Sequence, residues 1–251
     1  MQNKISIIMV CKNSARTIED SINSFFLQEY KNKELIIIDG GSTDKTIEII
    51  EKLNCHNYFE SINGLGLYAS INHAINKCDG NVIGILHSDD TFFDKFVLQK
   101  INQEFNKNKF IDYVYSDIIF VDHFENIKRK WIVGNLKVND VFKGKFPPHT
   151  GIFVKKSSVE YTNKYNESYK ISSDTEYIFK LMTSNKLRGS YLSSFTIKMK
   201  LGGLSTRSIK NILIGNLESY DALKKLKIGY LKRFQIILFK VLRKFIQILK
   251  I

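Results

Sequence analysis

The sequence predicts an α/β fold: a Rossmann-like, doubly wound, mostly parallel sheet that ends in a C-terminal helical tail. Three observations predict it. Short apolar runs alternate with stretches of helical periodicity four times within about the first 110 residues, the pattern of strand–helix crossovers in a parallel sheet. Two of those runs end in acid, ELIII (34–38) leading into DGGSTD (39–44) and VIGIL (82–86) into HSDD (87–90). The composition, 43% apolar and 25% charged, is that of an ordinary globular chain with ample material for a core.

The elements follow in order. KISIIMV (4–10) reads as a buried first strand, and Ile18, Ile22, Phe25 and Phe26 then recur at helical spacing behind a cap at Asn13 or Ser14. The second strand ends at Asp39, two glycines turn the chain, and a helix opens at Ser42, Thr43 and Asp44. A weak strand at 58–60 precedes NGLGLYASINHAINK, in which Leu67, Ile71, Ala74 and Ile75 form an apolar stripe. VIGIL is the next strand, and 96–105 the next helix. Beyond it DYVYSDIIFVD (112–122) and IKRKWIV (127–133) suggest a hairpin around HFEN. Pro147 and Pro148 precede a short strand, a helix starts at Ser173 with Tyr177, Leu181 and Met182 inward, and FTIKMK runs into a two-glycine loop at Gly202 and Gly203. The second half is expected to extend the first sheet. The division expected is a domain at 1–205, with halves 1–110 and 111–205, and a tail at 206–251.

The net charge of +13 is concentrated at one end. Residues 222–251 hold nine Lys and Arg and no acid, so the preceding 221 residues, with 29 basic and 25 acidic side chains, carry only +4. A nucleic-acid reading would rest on the tail alone, and no nucleic-acid partner is expected. Cys11, Cys55 and Cys78 are odd in number and form no CxxC pair, which argues against a disulfide framework or zinc site and for a reducing compartment. The apolar run at the N-terminus is too short, and too soon broken by Lys12, for a signal peptide. No uncharged stretch reaches the roughly 18–20 residues that span a bilayer.

The chemistry concentrates at strand ends, where open α/β sheets place their ligands. Asp39 there could accept from an N–H such as that of a uracil ring, or could simply form the turn. Asp89 and Asp90 repel one another unless a cation lies beside them. Mg²⁺ or Mn²⁺ completed by a diphosphate would serve, or one acid of the pair could cap the helix near Asp94. Asp174 could cap its own helix. His73 on a helix face reads as structural, and His149 between prolines and a strand as a turn residue.

Taken together, SIIMVCKN, ELIIIDGGSTDKT, GLYASINHAI, GNVIGILHSDD, SSDTEY and GGLS resemble the family-2 glycosyltransferases of GT-A fold over roughly residues 4–205. The DGG variant and the GLY-to-HAI segment look most like bacterial transferases that build surface polysaccharides. That resemblance implies an inverting enzyme with a nucleotide-sugar donor, UDP-linked, and a saccharide or polyprenyl-linked saccharide acceptor. It implies that Val10, Lys12 and Asp39 hold the nucleobase, that Asp89 contacts the donor and that Asp90 binds a divalent metal, Mn²⁺ or Mg²⁺. Asp174 maps to the base, with Glu176 as fallback, and His149 to the acceptor side. The Gly202–Gly203 loop with Arg207 is expected near the donor phosphates. Two departures are visible: Ile71 and His73 stand where many relatives carry Arg or Lys, and the QxxRW block of processive synthases is absent, which favours one sugar per event.

The alternatives are a sugar nucleotidyltransferase, against which CKNSART is a poor phosphate loop, a non-catalytic membrane or nucleic-acid binder, and an inactive scaffold. Within the tail, Leu231, Phe234, Leu238, Val241, Leu242, Phe245, Ile248 and Leu249 recur at helical spacing among basic residues. A basic amphipathic helix at 229–251 suits an anionic inner membrane surface, so a cytoplasmic, peripheral location is expected. The other outcome for such a stripe is packing on the body.

Overall fold

The computed structural model describes residues 2–54, 56–202 and 208–249. Its first half contains β1 (Ile5–Cys11), α1 (Ile18–Phe26), β2 (Lys33–Asp39), α2 (Thr46–Leu53), β3 (Tyr58–Ser61), α3 (Leu67–Lys77) and β4 (Val82–Ile85). A two-residue β5 (Thr91–Phe92), α4 (Val97–Lys107), β6 (Tyr113–Val121) and β7 (Ile127–Trp131) follow. Then come α5 (Val138–Val141), β8 (Ile152–Lys155), α6 (Lys156–Thr162), α7 (Ser173–Thr183), β9 (Gly189–Lys200), α8 (Ile209–Lys225) and α9 (Tyr230–Leu249).

All described strands join one sheet, in the order β3-β2-β1-β4-β8-β6-β9-β5, with β7 pairing the later part of β6 beyond β8. Strands β1 to β4 pair parallel, as right-handed crossovers through α1, α2 and α3 require. Beyond β4 the sheet becomes mixed: β8 runs antiparallel to both β4 and β6, while β6 and β9 are parallel. The second half therefore continues the first sheet, and β6 with β7 makes the expected hairpin.

Period-2 alternation sorts β1 between two cores. Ile5, Ile7 and Met9 pack with α1 and α4 on one face, while Ile8 packs with α3 and α7 on the other. Both faces of the parallel strands are covered, which explains their near-continuous apolar sequence.

Two expected caps move. α1 starts at Ile18, with Thr17 in the cap position and no side-chain cap, because Asn13 takes a left-handed turn (φ 52°) and spends its side chain elsewhere. α2 starts at Thr46, where Asp44 Oδ1 accepts from the Thr46 N–H (3.0 Å), so the acid at 44 does the capping two residues before the helix.

The tail is built into the body. Gly215 of α8 lies against Ile171 and Ser172, where an added Cβ would sit 3.1 and 3.2 Å from side-chain atoms. Glu218 accepts the backbone N–H groups of Lys170, Ile171 and Ser172 at 2.8, 2.8 and 2.9 Å. α9 docks through Ile236, which is fully buried, and through Lys240 Nζ, which donates to Ser219 Oγ (2.8 Å). The docked face is not the stripe that the sequence marks. Leu231, Phe234, Leu238 and Leu242 stay exposed, Leu231 at 81%, and Ile209, Leu213 and Leu217 of α8 are exposed as well. The side chains of Phe245, Ile248 and Leu249 lie outside the described residues. No described helix is long and apolar enough to cross a membrane.

Candidate active site

Because β1, β2 and β4 are parallel, their C-terminal ends meet at one edge, with Cys11 in register with Asp39. Val10 is half-buried there and Lys12 exposed. Asp39 is wholly buried, and its carboxylate is spent on the turn. Oδ2 accepts from Gly41 N (3.0 Å), Ser42 N (2.9 Å) and Ser61 Oγ (2.7 Å), and Oδ1 from Ser42 Oγ (2.5 Å). Burial pushes this carboxyl upward, but those donors outweigh it and hold it below the usual carboxylate range. The turn-forming reading of Asp39 matches these four bonds. Gly41 needs its φ of +84°, and any Cβ there would strike Asn63, 2.6 Å from Oδ1.

The first loop is stitched to this turn. Asn13 N donates to Ser42 Oγ (2.8 Å), Thr43 N to Asn13 Oδ1 (2.8 Å), and Ser14 N to Thr46 Oγ1 (2.7 Å). Ser14 Oγ then bonds Ser88 Oγ at 2.9 Å, which ties the HSDD loop to the other two.

Within HSDD, Asp89 is half-buried and Asp90 is 1% exposed. Asp90 Oδ1 accepts only a long bond from Lys200 N (3.3 Å), and its Oδ2 is buried with no hydrogen-bond partner. Neither acid caps α4, whose approach is capped by Asp94 accepting from Phe96 N. Burial, and next the charge of Asp89, push the Asp90 carboxyl well above its usual range, while Lys200 pulls it partly back. A buried carboxylate with an orphaned oxygen beside a second acid is the environment that a cation relieves. Among the described residues no three His, Cys, Asp or Glu cluster as a ligand set. The residues therefore fit a metal that draws most of its ligands from substrate phosphates and water.

On the other side of β4, a 3₁₀ turn at His149–Gly151 leads into β8 and places His149 Nε2 2.6 Å from His87 Nε2. His149 Nδ1 is 3.6 Å from Asp174 Oδ2. Asp174 is half-buried in the first turn of α7, where Oδ1 accepts from its neighbour's N–H, Thr175 N (2.8 Å). Burial lowers both imidazoles to about 4. A continuous line of contacts thus joins Asp39, Ser42, Asn13, Ser14, Ser88, His87, His149 and Asp174 along one sheet edge.

Some expected residues do not join it. Glu176 is buried, bonded to Asn166 Nδ2 (3.2 Å) and ion-paired with Lys180, roughly 200° around α7 from Asp174. It is scaffold and a poor fallback base. His73 pairs with Glu60 at 2.7 Å on the surface, which is the structural role. Gly203 and Arg207 lie outside the described residues. Sequence reasoning passed over His87, Ser88 and Lys200. His87 and Ser88 open the very block that was singled out, and Lys200 is the last cation before the glycine pair.

Residues 6–179 match the model of a family described as Glycosyl transferase family 2. The chain belongs to that family. It is 32% identical over 126 residues to the putative glycosyltransferase EpsE of Bacillus subtilis, across 48% of this chain and 45% of that relative, so it spans under half the length of that relative. Staphylococcus aureus TarS 1–349 in complex with UDP-GlcNAc superposes with a TM-score of 0.71 at 18% identity, over 95% of this chain and 71% of that one. The mannosyltransferase PcManGT of Pyrobaculum calidifontis, with GDP-Man and Mn²⁺, gives 0.64 at 13%, over 96% and 69%. The glycosyltransferase GT-A fold is thereby shown, with a helical C-terminal region.

Proposed function

We propose that this family-2 glycosyltransferase moves one sugar from a UDP-sugar to a saccharide or polyprenyl-linked saccharide, with inversion and with a divalent metal, in surface polysaccharide assembly. The observation that carries the reading is Asp90, a buried acid with an orphaned oxygen at the edge where the DGGSTD turn and Asp174 also lie. Asp90 would hold Mn²⁺ or Mg²⁺, which when bound neutralises the departing diphosphate. Asp89, half-buried next to it, faces the donor. The turn built by Asp39 shapes the nucleotide end with Val10 and Lys12, and Lys200 holds Asp90 through its backbone N–H while its ammonium pairs with Asp20.

Asp174 then acts as base. Its carboxylate takes the proton of the acceptor hydroxyl as that oxygen bonds to the anomeric carbon. The bond from that carbon to the diphosphate breaks on the opposite face, and UDP leaves with the electron pair. UDP-GlcNAc is the first donor to try, given the complexed neighbour. The test is a panel of UDP-sugars with Mn²⁺, scored by UDP release and by the anomeric configuration of the product. Inversion that disappears in Asp174→Asn while UDP still binds supports the reading. A product with retained configuration contradicts it.

The outward faces of α8 and α9 support a peripheral site on an anionic cytoplasmic membrane surface. Leu231, Phe234, Leu238 and Leu217 would enter the headgroup region, and Lys232 and its neighbours would each add about 1 kcal/mol. A lipid-linked acceptor would be presented at such a surface.

A further inference from the structure

The half-buried imidazole pair at the sheet edge is a titratable group that the transfer reaction leaves without a task. Antiparallel pairing of β4 and β8, with Gly84 opposite Phe153, brings His87, two residues past the end of β4, beside His149, at the start of the turn that leads into β8. The two rings meet with centroids 4.8 Å apart and planes at 60°, and their Nε2 atoms are 2.6 Å apart. Two Nε2 atoms that close share a single proton, because two N–H groups or two lone pairs would repel. The remaining nitrogen of His149, Nδ1, faces the Asp174 carboxylate at 3.6 Å, and a carboxylate is an acceptor. The proton of neutral His149 therefore belongs on Nδ1. Its Nε2 is then bare, and His87 must donate its Nε2–H.

We infer that His149 is a positioning residue for Asp174, held in its Nδ1–H tautomer by His87, so that the loop carrying the donor acids also orients the base. The inference rests on the reading of Asp174 as base.

The surroundings fit a neutral donor. Ile85, Ile152, Tyr165 and Tyr177 line a small apolar cavity under His149, and burial disfavours charge on its ring. Asp89 and Asp174 are the charged groups facing His87, and they only partly offset its burial. Neutrality matters chemically, since an imidazolium against Asp174 would stabilise its anionic form and weaken it as a proton acceptor. A neutral N–H aimed at the carboxylate, at 3.6 Å still longer than a hydrogen bond, would orient it without that penalty as the two approach.

Two measurements on the full chain test this. Long-range ¹H–¹⁵N correlation of the imidazole nitrogens at pH 7 should show both rings neutral, His149 as Nδ1–H and His87 as Nε2–H. His149 found as Nε2–H, or either ring charged, would overturn the inference. In His87→Ala the His149 signal should lose its bias toward Nδ1–H, whereas His87→Gln, which keeps an amide donor near the position of Nε2, should retain it. An unchanged His149 signal in His87→Ala also overturns it.

The second measurement is turnover, with UDP-GlcNAc as first probe and then whichever UDP-sugar the panel identifies. Asparagine at 149 places its amide nitrogen near the position of Nδ1, and glutamine places its own near Nε2. His149→Asn should keep kcat within severalfold, while His149→Gln and His149→Ala lose roughly 10–100-fold in kcat at unchanged donor KM. Equal losses for Asn and Gln, in variants with matching melting temperatures, would reduce His149 to packing and refute the role. Full transfer by Asp174→Asn would instead remove the base reading and leave the tautomer result standing, so the two failures are distinguishable.

Discussion

The two ends of this sheet edge, the donor edge and the acceptor edge of the proposed site, use the same residue types and are held by different means. At the donor edge the supporting bonds run between the turns that follow the strands: Ser42 to Asp39 within one turn, and Thr43 to Asn13 and Ser88 to Ser14 between turns 30 and 74 residues apart. At the acceptor edge Asp174 stands on a segment whose backbone N–H groups are held by Glu218, more than forty residues later in the chain. The first edge is a property of three strand ends. The second depends on a helix that the sequence marks only as tail. Damage to the tail should therefore reach the base before it reaches the nucleotide.

The largest effect expected is the loss of transfer in Asp174→Asn, by roughly 10²–10⁴-fold, with UDP and Mn²⁺ still raising the melting temperature. Retained transfer would place the base elsewhere and erase the distinction between the edges.

Next comes Glu218→Ala. It leaves three backbone donors without their acceptor and should cost about 1–3 kcal/mol of stability in urea unfolding. Its kcat should fall while nucleotide binding survives. Equal loss of both would show the two edges to be one mechanical unit.

The acids at the donor edge should respond to pH in opposite senses. Asp39 is depressed, so its contribution is complete above the unfolded value, about pH 4, and is lost as pH falls through the lower folded value. Asp90 is raised, so its cost is absent near pH 4 and grows as pH rises through the folded value. Asp90→Asn should accordingly melt roughly 2–4 °C above the ligand-free parent at pH 8, with the gap closing toward pH 4. A variant that melts lower at pH 8 would mean that Asp90 is already paired.

On α9 two faces of one helix separate, and the smallest effects lie on its outward face. Ile236→Ala should cost about 2–5 kcal/mol, because it opens a cavity under a fully buried side chain. Leu231→Asp and Phe234→Asp should leave stability within about 0.5 kcal/mol and reduce flotation with anionic vesicles. Unchanged flotation would leave that face to some other partner.

What was legible in the sequence follows the same division. β1, β2 and β4, their helices and the acids at their ends could be read from apolar runs and turn residues, since those signals are local. The burial of Asp39 was not, because Ser61 and the Asn63 loop close over it from a distance. The caps of α1 and α2 were misplaced because Asn13 and Ser42 bond each other across loops and leave the nearby N–H groups to other partners. The pairing of His87 with His149 depends on which strand lies beside β4, a fact of topology that no window of sequence records. The docked face of α9 was missed for a related reason: Ile236 and Lys240 find Gly144 and Ser219, while the more regular stripe faces outward.

The central claim is that Asp90 and a metal together grip the nucleotide diphosphate. It is tested most directly by the melting temperature with UDP, with and without Mn²⁺, in the parent chain and in Asp90→Ala. The account predicts a rise that needs UDP and Mn²⁺ together and vanishes in Asp90→Ala. An equal rise with UDP alone, or an undiminished one in the variant, would contradict it.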